Sequence, residues 1–383
     1  MSSSLPGIAD TAAERWIVAT YRVHSAADAI DARAQALALE QSVEAPLAAV
    51  SDPRVLLEVV ARVANVAPAG AGTFDVTIEL AAETTGFEAG QLLNMLFGNS
   101  SLHDEVALVD VEFPASYVAR YRGPRFGIAG LRALTGAHRR PLTCSALKPQ
   151  GLPPAALASL AAIFARAGVD VVKDDHGLAD QASAPFGERI RAVQAAIDQV
   201  NRETGKRCVY APSLTGHYGQ LCAELAEAKE AGVRIVLMAP MVSGVGSLAA
   251  LARESGVPIL AHPALAGAAR IAPPLLLGKL FRLFGADATI FPNAGGRFAY
   301  SAETCQAIAN AARAPWHGLS PMLPVPAGGM TVARVGEMRT FFGEDTMLLI
   351  GGSLLAAREA LPQRAREFVA AVGAMSEVRG EAK

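Results

Sequence analysis

Gly168–His176 reads GVDVVKDDH. Apolar residues dominate the first five positions, which predicts a buried strand, and a lysine, two aspartates and a histidine follow without a break. A parallel strand buried on both faces has no room for such groups, so we predict that they lie at its C-terminal end. In an α/β barrel that end carries the active site, and these residue types hold divalent cations or move protons. Taken alone, the charged run could also be a solvated turn.

Short apolar runs alternate with helical patterns from Pro141 onward. The runs are Leu142–Leu147, Val169–Val172, Cys208–Leu214, Val233–Ala239, Pro258–Ala261, Ala288–Phe291, Met322–Val325 and Met347–Ile350. The helical patterns between them include Pro153–Ala167, Gly187–Glu203, Gln220–Ala231, Pro274–Phe284 and Ser301–Arg313. Eight strand–helix units in succession predict an α/β protein with a C-terminal (β/α)8 TIM barrel.

The first third of the chain has a different order of elements. Alternating or apolar patterns predict strands at Trp16–His24, Val55–Val66, Thr73–Leu80 and Glu105–Phe113, with helices at Ala26–Gln41 and Phe87–Met95. This β-α-β-β-α-β order is that of a ferredoxin-like α+β domain. The Gly- and Arg-rich segment Tyr121–Gly127 marks a linker. We therefore expect an N-terminal domain over residues 1–124 and the barrel, with the active site, over 125–383.

Composition excludes several classes of protein. The 383 residues are 51% hydrophobic and 18% charged, enough for a small domain plus a barrel of ~250 residues. A net charge of −2 gives no basic surface for nucleic acid, and the apolar stretches are too short for a membrane span. The four cysteines show no paired spacing, which fits a reducing compartment. With no signal-peptide pattern at the N-terminus, we expect a cytoplasmic protein.

The ends of the predicted strands form one surface of candidate catalytic groups. Lys148-Pro follows the first strand, and His262 follows the fifth. Lys148 beside a cation could act as acid or base, whereas the alternative is a salt bridge to Asp174 or Asp175. His262 could be a base, a hydrogen-bond partner of the substrate, or only a hydrogen-bonded core group.

Candidate phosphate-binding groups follow the last three strands. The pairs Gly328-Gly329 and Gly351-Gly352 end strands seven and eight, where barrels commonly bind phosphate through backbone N–H groups. Arg297, in the loop after strand six, is a candidate partner for the same phosphate. A single Gly-Gly pair is more often a tight turn, but two at these strands favour a phosphorylated small-molecule substrate.

Several motifs together resemble those of the RuBisCO large subunit and, more closely, the RuBisCO-like proteins, its form IV relatives. The resemblance covers nearly the whole chain. Its motifs are ALEQSVE (38–44), LFGNSS (96–101), CSALKPQGL (144–152), GVDVVKDDH (168–176), PFGER (185–189), PVPAGGM (324–330) and LLIGGS (348–353).

The resemblance implies a metal site built on a modified lysine. In that family the corresponding lysine is carbamylated by CO2, and its carbamate, an aspartate and a glutamate bind Mg2+. Carried over, the ligands are Lys173, Asp175 and His176, with Lys148 at the position of the catalytic lysine. A histidine ligand is softer than glutamate, so another divalent metal such as Mn or Zn is a further expectation. His176 could instead be a general base, or a residue without a role.

The resemblance also implies an assembly. Glu40 and Asn99 match the positions whose side chains bind substrate in the active site of a neighbouring subunit. We therefore expect a homodimer or a higher homo-oligomer.

Five departures from the RuBisCO pattern argue against CO2 fixation. Gln150 replaces the second lysine of KPK, His176 the metal-binding glutamate, Pro263 an arginine and Ala327 a serine, and loop six has no lysine. We expect Mg-dependent enolate chemistry instead, by decarboxylation or C–C hydrolysis of a phosphorylated keto sugar acid such as 3-oxo-isoapionate 4-phosphate. One alternative is an enolase or isomerase of a methylthioribulose-type phosphate in methionine salvage. Another is a non-catalytic relic that binds a sugar phosphate.

Overall fold

The structure, a computed structural model, describes residues 12–296, 298 and 300–374. The chain divides into two compact units. The first is the described part of Met1–Tyr121 together with Gly267–Leu275, and the second is Arg122–Ala266 with the described part of Leu276–Lys383. Gly267–Leu275 belongs to the first unit because the backbone N–H of Leu108 donates to Arg270 O at 2.9 Å, and that of Ala272 donates to Leu108 O at 2.8 Å. The expected division into 1–124 and 125–383 did not place Gly267–Leu275 in the first unit.

The first unit contains an antiparallel sheet with strand order β2-β3-β1-β4. Its strands are β1 (Trp16–His24), β2 (Arg62–Gly70), β3 (Thr73–Ala81) and β4 (Val106–Glu112). Its helices are α1 (Ile30–Glu40), α2 (Pro53–Glu58), α3 (Ala89–Phe97) and α4 (Ala115–Val118). Alternate residues of β1, among them Ile17 and Tyr21, are fully buried. This order agrees with the predicted ferredoxin-like domain.

The prediction of a strand over Val55–Val66 is wrong in its first half. The Asp52 carboxylate accepts the backbone N–H of Arg54 at 2.8 Å, and Pro53 occupies the first turn, so the chain begins α2 there. The strand β2 begins only at Arg62. Apolar residues alone could not distinguish a short exposed helix from a strand.

In the part of the second unit that the structure describes, eight parallel strands form two four-stranded sheets, β12-β5-β6-β7 and β11-β10-β9-β8. They are β5 (Leu142–Leu147), β6 (Val171–Asp174), β7 (Val209–Ala211), β8 (Val236–Met238), β9 (Ile259–Ala261), β10 (Ala288–Pro292), β11 (Leu323–Ala327) and β12 (Met347–Leu349). Backbone hydrogen bonds of Leu237 to Pro212 and Leu214, both 2.8 Å, join the sheets beyond β7. The predicted barrel is confirmed.

In the described part of this unit, one helix precedes the first of these strands, and the others follow strands in turn. They are α5 (Gly127–Thr135), α6 (Pro154–Ala167), α7 (Phe186–Thr204), α8 (Tyr218–Glu230), α9 (Pro240–Ser243), α10 (Val245–Glu254), α11 (Phe281–Leu283), α12 (Ala302–Arg313), α13 (Val335–Phe342), α14 (Gly352–Leu355) and α15 (Leu361–Gly373). A π-helix, Pro274–Leu280, precedes α11. Gly168 ends α6 with φ of 94°, a left-handed conformation that lets the chain turn directly into the segment Gly168–His176. No described helix has both the length and the apolar character needed to cross a membrane.

The barrel interior is packed with small and branched side chains such as Leu142, Val171, Leu237 and Val325. The charged residues lie at the C-terminal end of β6, as predicted, and Lys173 and Asp174 are its last two residues. Both are within β6 and almost completely buried, with exposed fractions of 3% and 0%. The strand tolerates them because each has polar partners, described below.

Candidate active site

Lys173 is a buried amine at the C-terminal end of β6. Its Nζ donates to the carbonyl oxygen of Asp174 at 2.8 Å. Burial lowers the pKa of Lys173, and the positive charge of Lys148 adds to this effect, against the opposing influence of Asp175. A lowered pKa increases the fraction of unprotonated amine, which is the form that reacts with CO2.

Asp175 joins two of the other predicted residues. Its Oδ1 lies 2.9 Å from Lys148 Nζ and 3.3 Å from His176 Nδ1. Burial opposes ionisation of Asp175, but hydrogen bonds from His176 and Lys148 and the nearby lysine charges outweigh it and lower its pKa. The salt bridge considered for Lys148 is therefore present, and its partner is Asp175.

His262 stacks on His176, with ring centroids 4.1 Å apart and planes inclined by 9°. Its Nδ1 accepts the backbone N–H of Ala264 at 3.1 Å. Because this bond occupies the lone pair of Nδ1, the proton of the neutral ring lies on Nε2. Burial lowers the pKa of His262 to about 2. His262 is therefore a neutral hydrogen-bond donor through Nε2.

A divalent cation would need Lys173 as a ligand in this site. Among the described residues, no group of three or more His, Cys, Asp or Glu side chains forms a ready cation site. Asp175 and His176 supply one oxygen and one nitrogen ligand, and a carbamate on Lys173 would supply the missing anionic oxygen. The residues present thus fit Mg2+ once the lysine is carbamylated.

The glycine pairs lie on the same rim of the second unit as the lysines. Gly328 and Gly329 have φ of 78° and 66°, and a Cβ on Gly329 would collide with Gly296 Cα. A Cβ on Gly352 would meet nothing within 4 Å, so open space faces that backbone. The hydroxyl of Ser353 donates to Met330 O at 2.8 Å and ties the two glycine loops together. Arg297 lies outside the described residues.

Glu40 and Asn99 lie together in the first unit. The Asn99 amide donates to Glu40 Oε1 at 2.9 Å and to Glu44 Oε1 at 3.0 Å. Their proposed role in substrate binding by a neighbouring subunit stays a prediction.

Arg189 and Tyr210 hold Asp174, and neither was predicted from the sequence as a site residue. The Asp174 carboxylate accepts from Tyr210 OH at 2.7 Å, from Arg189 Nε at 3.1 Å and from the Ser213 backbone N–H at 3.1 Å. Arg189 belongs to the quoted PFGER motif, so a signal for it was present. Tyr210 had none.

The fold and site together define a (β/α)8-barrel protein with a lysine–aspartate centre at the strand ends. Residues 127–375 match the family of the ribulose bisphosphate carboxylase large chain, catalytic domain, and the chain belongs to this family. It is 54% identical over 357 residues to ribulose bisphosphate carboxylase-like protein 1 of Rhodopseudomonas palustris, covering 93% of this chain and 97% of the relative. The resemblance to RuBisCO-like proteins is confirmed.

Two further comparisons describe its neighbours. The chain is 53% identical over 356 residues to a 5-methylthioribulose-1-phosphate isomerase of Rhodospirillum rubrum, covering 92% of this chain and 95% of that protein. The crystal structure of a Rubisco-like protein from Rhodopseudomonas palustris superposes with a TM-score of 0.88 at 52% identity, covering 94% of this chain and 98% of that one.

Proposed function

We propose that this RuBisCO-like protein isomerises a phosphorylated ketose of the 5-methylthioribulose 1-phosphate type. The observation that carries the proposal is the contact set of Lys148, Asp175, His176 and His262 around the buried Lys173. The set includes an amine, that of Lys148, which can transfer a proton. It also includes a neutral hydrogen-bond donor, His262, which can stabilise an oxyanion. The 53% identity to an isomerase across 92% of this chain supports the substrate class.

Isomerisation of a ketose moves the carbonyl group to a neighbouring carbon. A base removes the proton from the hydroxyl-bearing carbon next to the carbonyl, the electron pair forms an enediolate, and a proton returns to the former carbonyl carbon. Negative charge develops on the carbonyl oxygen during the first step. His262 is suited to stabilise that oxygen through Nε2–H, because its ring is neutral and its orientation is fixed by Ala264.

Lys148 is the group we assign to proton transfer at carbon. Its side chain is 34% exposed, so it is accessible to substrate, while Asp175 Oδ1 lies 2.9 Å from its Nζ. A positioned acid or base of this kind contributes roughly 10²–10⁴ in rate.

Lys173, Asp175 and His176 would hold Mg2+, or another divalent metal. The Lys173 amine attacks the carbon of CO2 and releases a proton to solvent, which leaves an anionic carbamate oxygen. A cation bound there would stabilise negative charge on the substrate oxygens. The two glycine pairs would bind the phosphate through backbone N–H groups, as expected from the sequence.

Isomerisation of a methylthioribulose-type phosphate is thus preferred to decarboxylation or hydrolysis of a keto sugar acid such as 3-oxo-isoapionate 4-phosphate. The sequence alone favoured the latter. The reason for the change is the high identity to an isomerase over most of both chains. The complete set of acid, base and ligand positions supports a catalyst over a relic.

The test is to incubate the protein with Mg2+, bicarbonate and 5-methylthioribulose 1-phosphate in D2O. We expect new ketose phosphate signals by NMR and deuterium at the carbon next to the carbonyl. Lys173→Ala is the control. This variant should show neither the new signals nor the deuterium, because it lacks the carbamate oxygen and its charge. Release of CO2 from 3-oxo-isoapionate 4-phosphate, with no deuterium exchange in the ketose, would overturn the proposal in favour of decarboxylation of a keto sugar acid.

A further inference from the structure

Asp174 lies between two candidate site residues but its side chain contacts neither. Along a strand, successive side chains point to opposite faces, so Lys173 and Asp175 share one face and Asp174 takes the other. The Asp174 carboxylate is completely buried, with 0% of its surface exposed. On this face its partners come from α7 and from the region of β7.

Three donors from three segments hold this carboxylate. They are Arg189 Nε of α7 at 3.1 Å, Tyr210 OH of β7 at 2.7 Å, and the Ser213 backbone N–H after β7 at 3.1 Å. Arg189 and Tyr210 are themselves fully buried. Asp174 is thereby fixed relative to both the neighbouring strand and the following helix.

Arg189 also holds the loop that follows His176. Its Nη1 donates to the carbonyl oxygens of Ala179 at 2.7 Å and Ala184 at 2.6 Å. One guanidinium therefore ties the end of β6 to the loop that leads away from His176. Arginine suits this role because its planar fork places several donors in a rigid arrangement.

Stability alone is a poor explanation for this buried pair. Removing two charges from water costs several kcal/mol, and well-packed apolar residues often replace such a pair without loss of stability. The face of a barrel strand that packs against helices is ordinarily apolar. A polar network at this position is therefore better explained by the geometry that it imposes.

We infer that Asp174, Arg189 and Tyr210 are positioning residues that set the directions of Lys173 and Asp175 at the barrel mouth. The inference rests on the proposed function for the identity of the site. The network acts through the β6 backbone, since the two flanking residues are bonded directly to Asp174.

Tyr210→Phe is the first test, because it removes one donor from Asp174 and keeps the ring. We expect the Mg2+ concentration for half-maximal activity to rise about tenfold or more and kcat to fall, with KM for the phosphorylated ketose little changed. The 13C carbamate signal of Lys173 under 13CO2 should weaken. Tyr117→Phe is the matched control: it removes another buried hydroxyl, which donates to Thr85 Oγ1 at 2.9 Å in the first unit. It should lower the unfolding temperature similarly and leave the Mg2+ dependence unchanged.

The double variant Asp174→Leu/Arg189→Met separates positioning from stability. If the network positions Lys173 and Asp175, this variant should fold and yet lose most of the carbamate signal and the Mg2+ response. Wild-type carbamate and Mg2+ dependence in this variant, or in Tyr210→Phe, would overturn the inference. Should the double variant fail to fold, Tyr210→Phe alone decides.

The failure of the proposed function has a different signature. In that case wild-type protein itself would show no turnover of the ketose, whether or not the 13C carbamate signal forms. The inference would then be judged by crystal structures of wild-type protein and Tyr210→Phe. Loss of the Lys148–Asp175 contact in the variant supports it, and an unchanged contact overturns it.

Discussion

Burial changes the chemistry of single residues in this protein, and Lys173 and His262 are the clearest cases. Burial lowers the pKa of Lys173, which favours the amine that CO2 requires. Burial also keeps His262 neutral, and the Ala264 N–H decides which ring nitrogen carries the proton. Under the proposed function, Lys173 would become a metal ligand and His262 would donate a hydrogen bond to the substrate.

His176 is the residue at which this site departs most from the RuBisCO pattern. We expect His176→Glu to keep or strengthen Mg2+ binding, because Mg2+ prefers oxygen ligands and Asp175 is close to this position. Calorimetric titration with Mg2+ in the presence of bicarbonate measures this. His176→Gln is the control, since it lacks the carboxylate and should bind more weakly than the glutamate variant.

A different result would assign His176 another role. Unchanged metal affinity with a rate loss of roughly 10²–10⁴ would make it a proton carrier. No change in either quantity, with His176→Gln binding Mg2+ as tightly as His176→Glu, would contradict both roles. It would leave the ring as packing for His262, with which it stacks at 4.1 Å.

At the scale of elements, the two ends of the barrel strands carry different kinds of polar residues. The C-terminal ends carry Lys148, Lys173 and His262. At the opposite end, Asp287 precedes β10 and accepts backbone N–H groups of Phe126 and Gly127, both at 2.7 Å, and of Ile259 at 2.9 Å. This carboxylate joins the start of α5 to two barrel strands.

Asp287→Asn should therefore affect stability and not catalysis. The amide replaces one carboxylate oxygen with a donor that faces backbone N–H groups, so at least one buried hydrogen bond is lost, at a cost of ~1–3 kcal/mol. Urea denaturation measures the change in the free energy of unfolding, and KM should stay the same. Asp28→Asn, at an exposed turn, is the control and should leave stability unchanged. A changed KM in folded Asp287→Asn would contradict this division between the two ends.

At the scale of the whole molecule, Glu40 and Asn99 lead to a prediction about assembly. The family resemblance predicts that they complete the site of a partner subunit in a homodimer. Inactive Lys173→Ala and inactive Asn99→Ala should then restore each other when mixed. Random exchange makes half of the dimers mixed, each with one intact site, so we expect about a quarter of wild-type activity.

Sedimentation velocity supplies the control by showing whether subunits have associated, and a pull-down through an affinity tag on one variant shows whether they have exchanged. Each variant incubated with itself should stay inactive. An active monomer, or mixed dimers that show no restored activity, would contradict the prediction.

The sequence by itself determined the class of fold. Recurring apolar runs predicted the barrel strands, and β5 begins and ends at the predicted residues, Leu142 and Leu147. Local periodicity carries this information because side-chain direction repeats along a strand or helix. Motif spacing also brought Lys148, Lys173 and Asp175 to one edge, since parallel strands end on the same side of a barrel.

Only the tertiary structure decided where individual polar groups point. Asp174 reads in sequence like a member of the site, yet contacts with Arg189 and Tyr210, 15 and 36 residues away, turn it toward α7. The pairing of Leu108 with Arg270 and Ala272 likewise joins segments far apart in sequence. Periodicity within a short window contains no signal for such partners, because burial and hydrogen bonding depend on which distant segments the fold brings together.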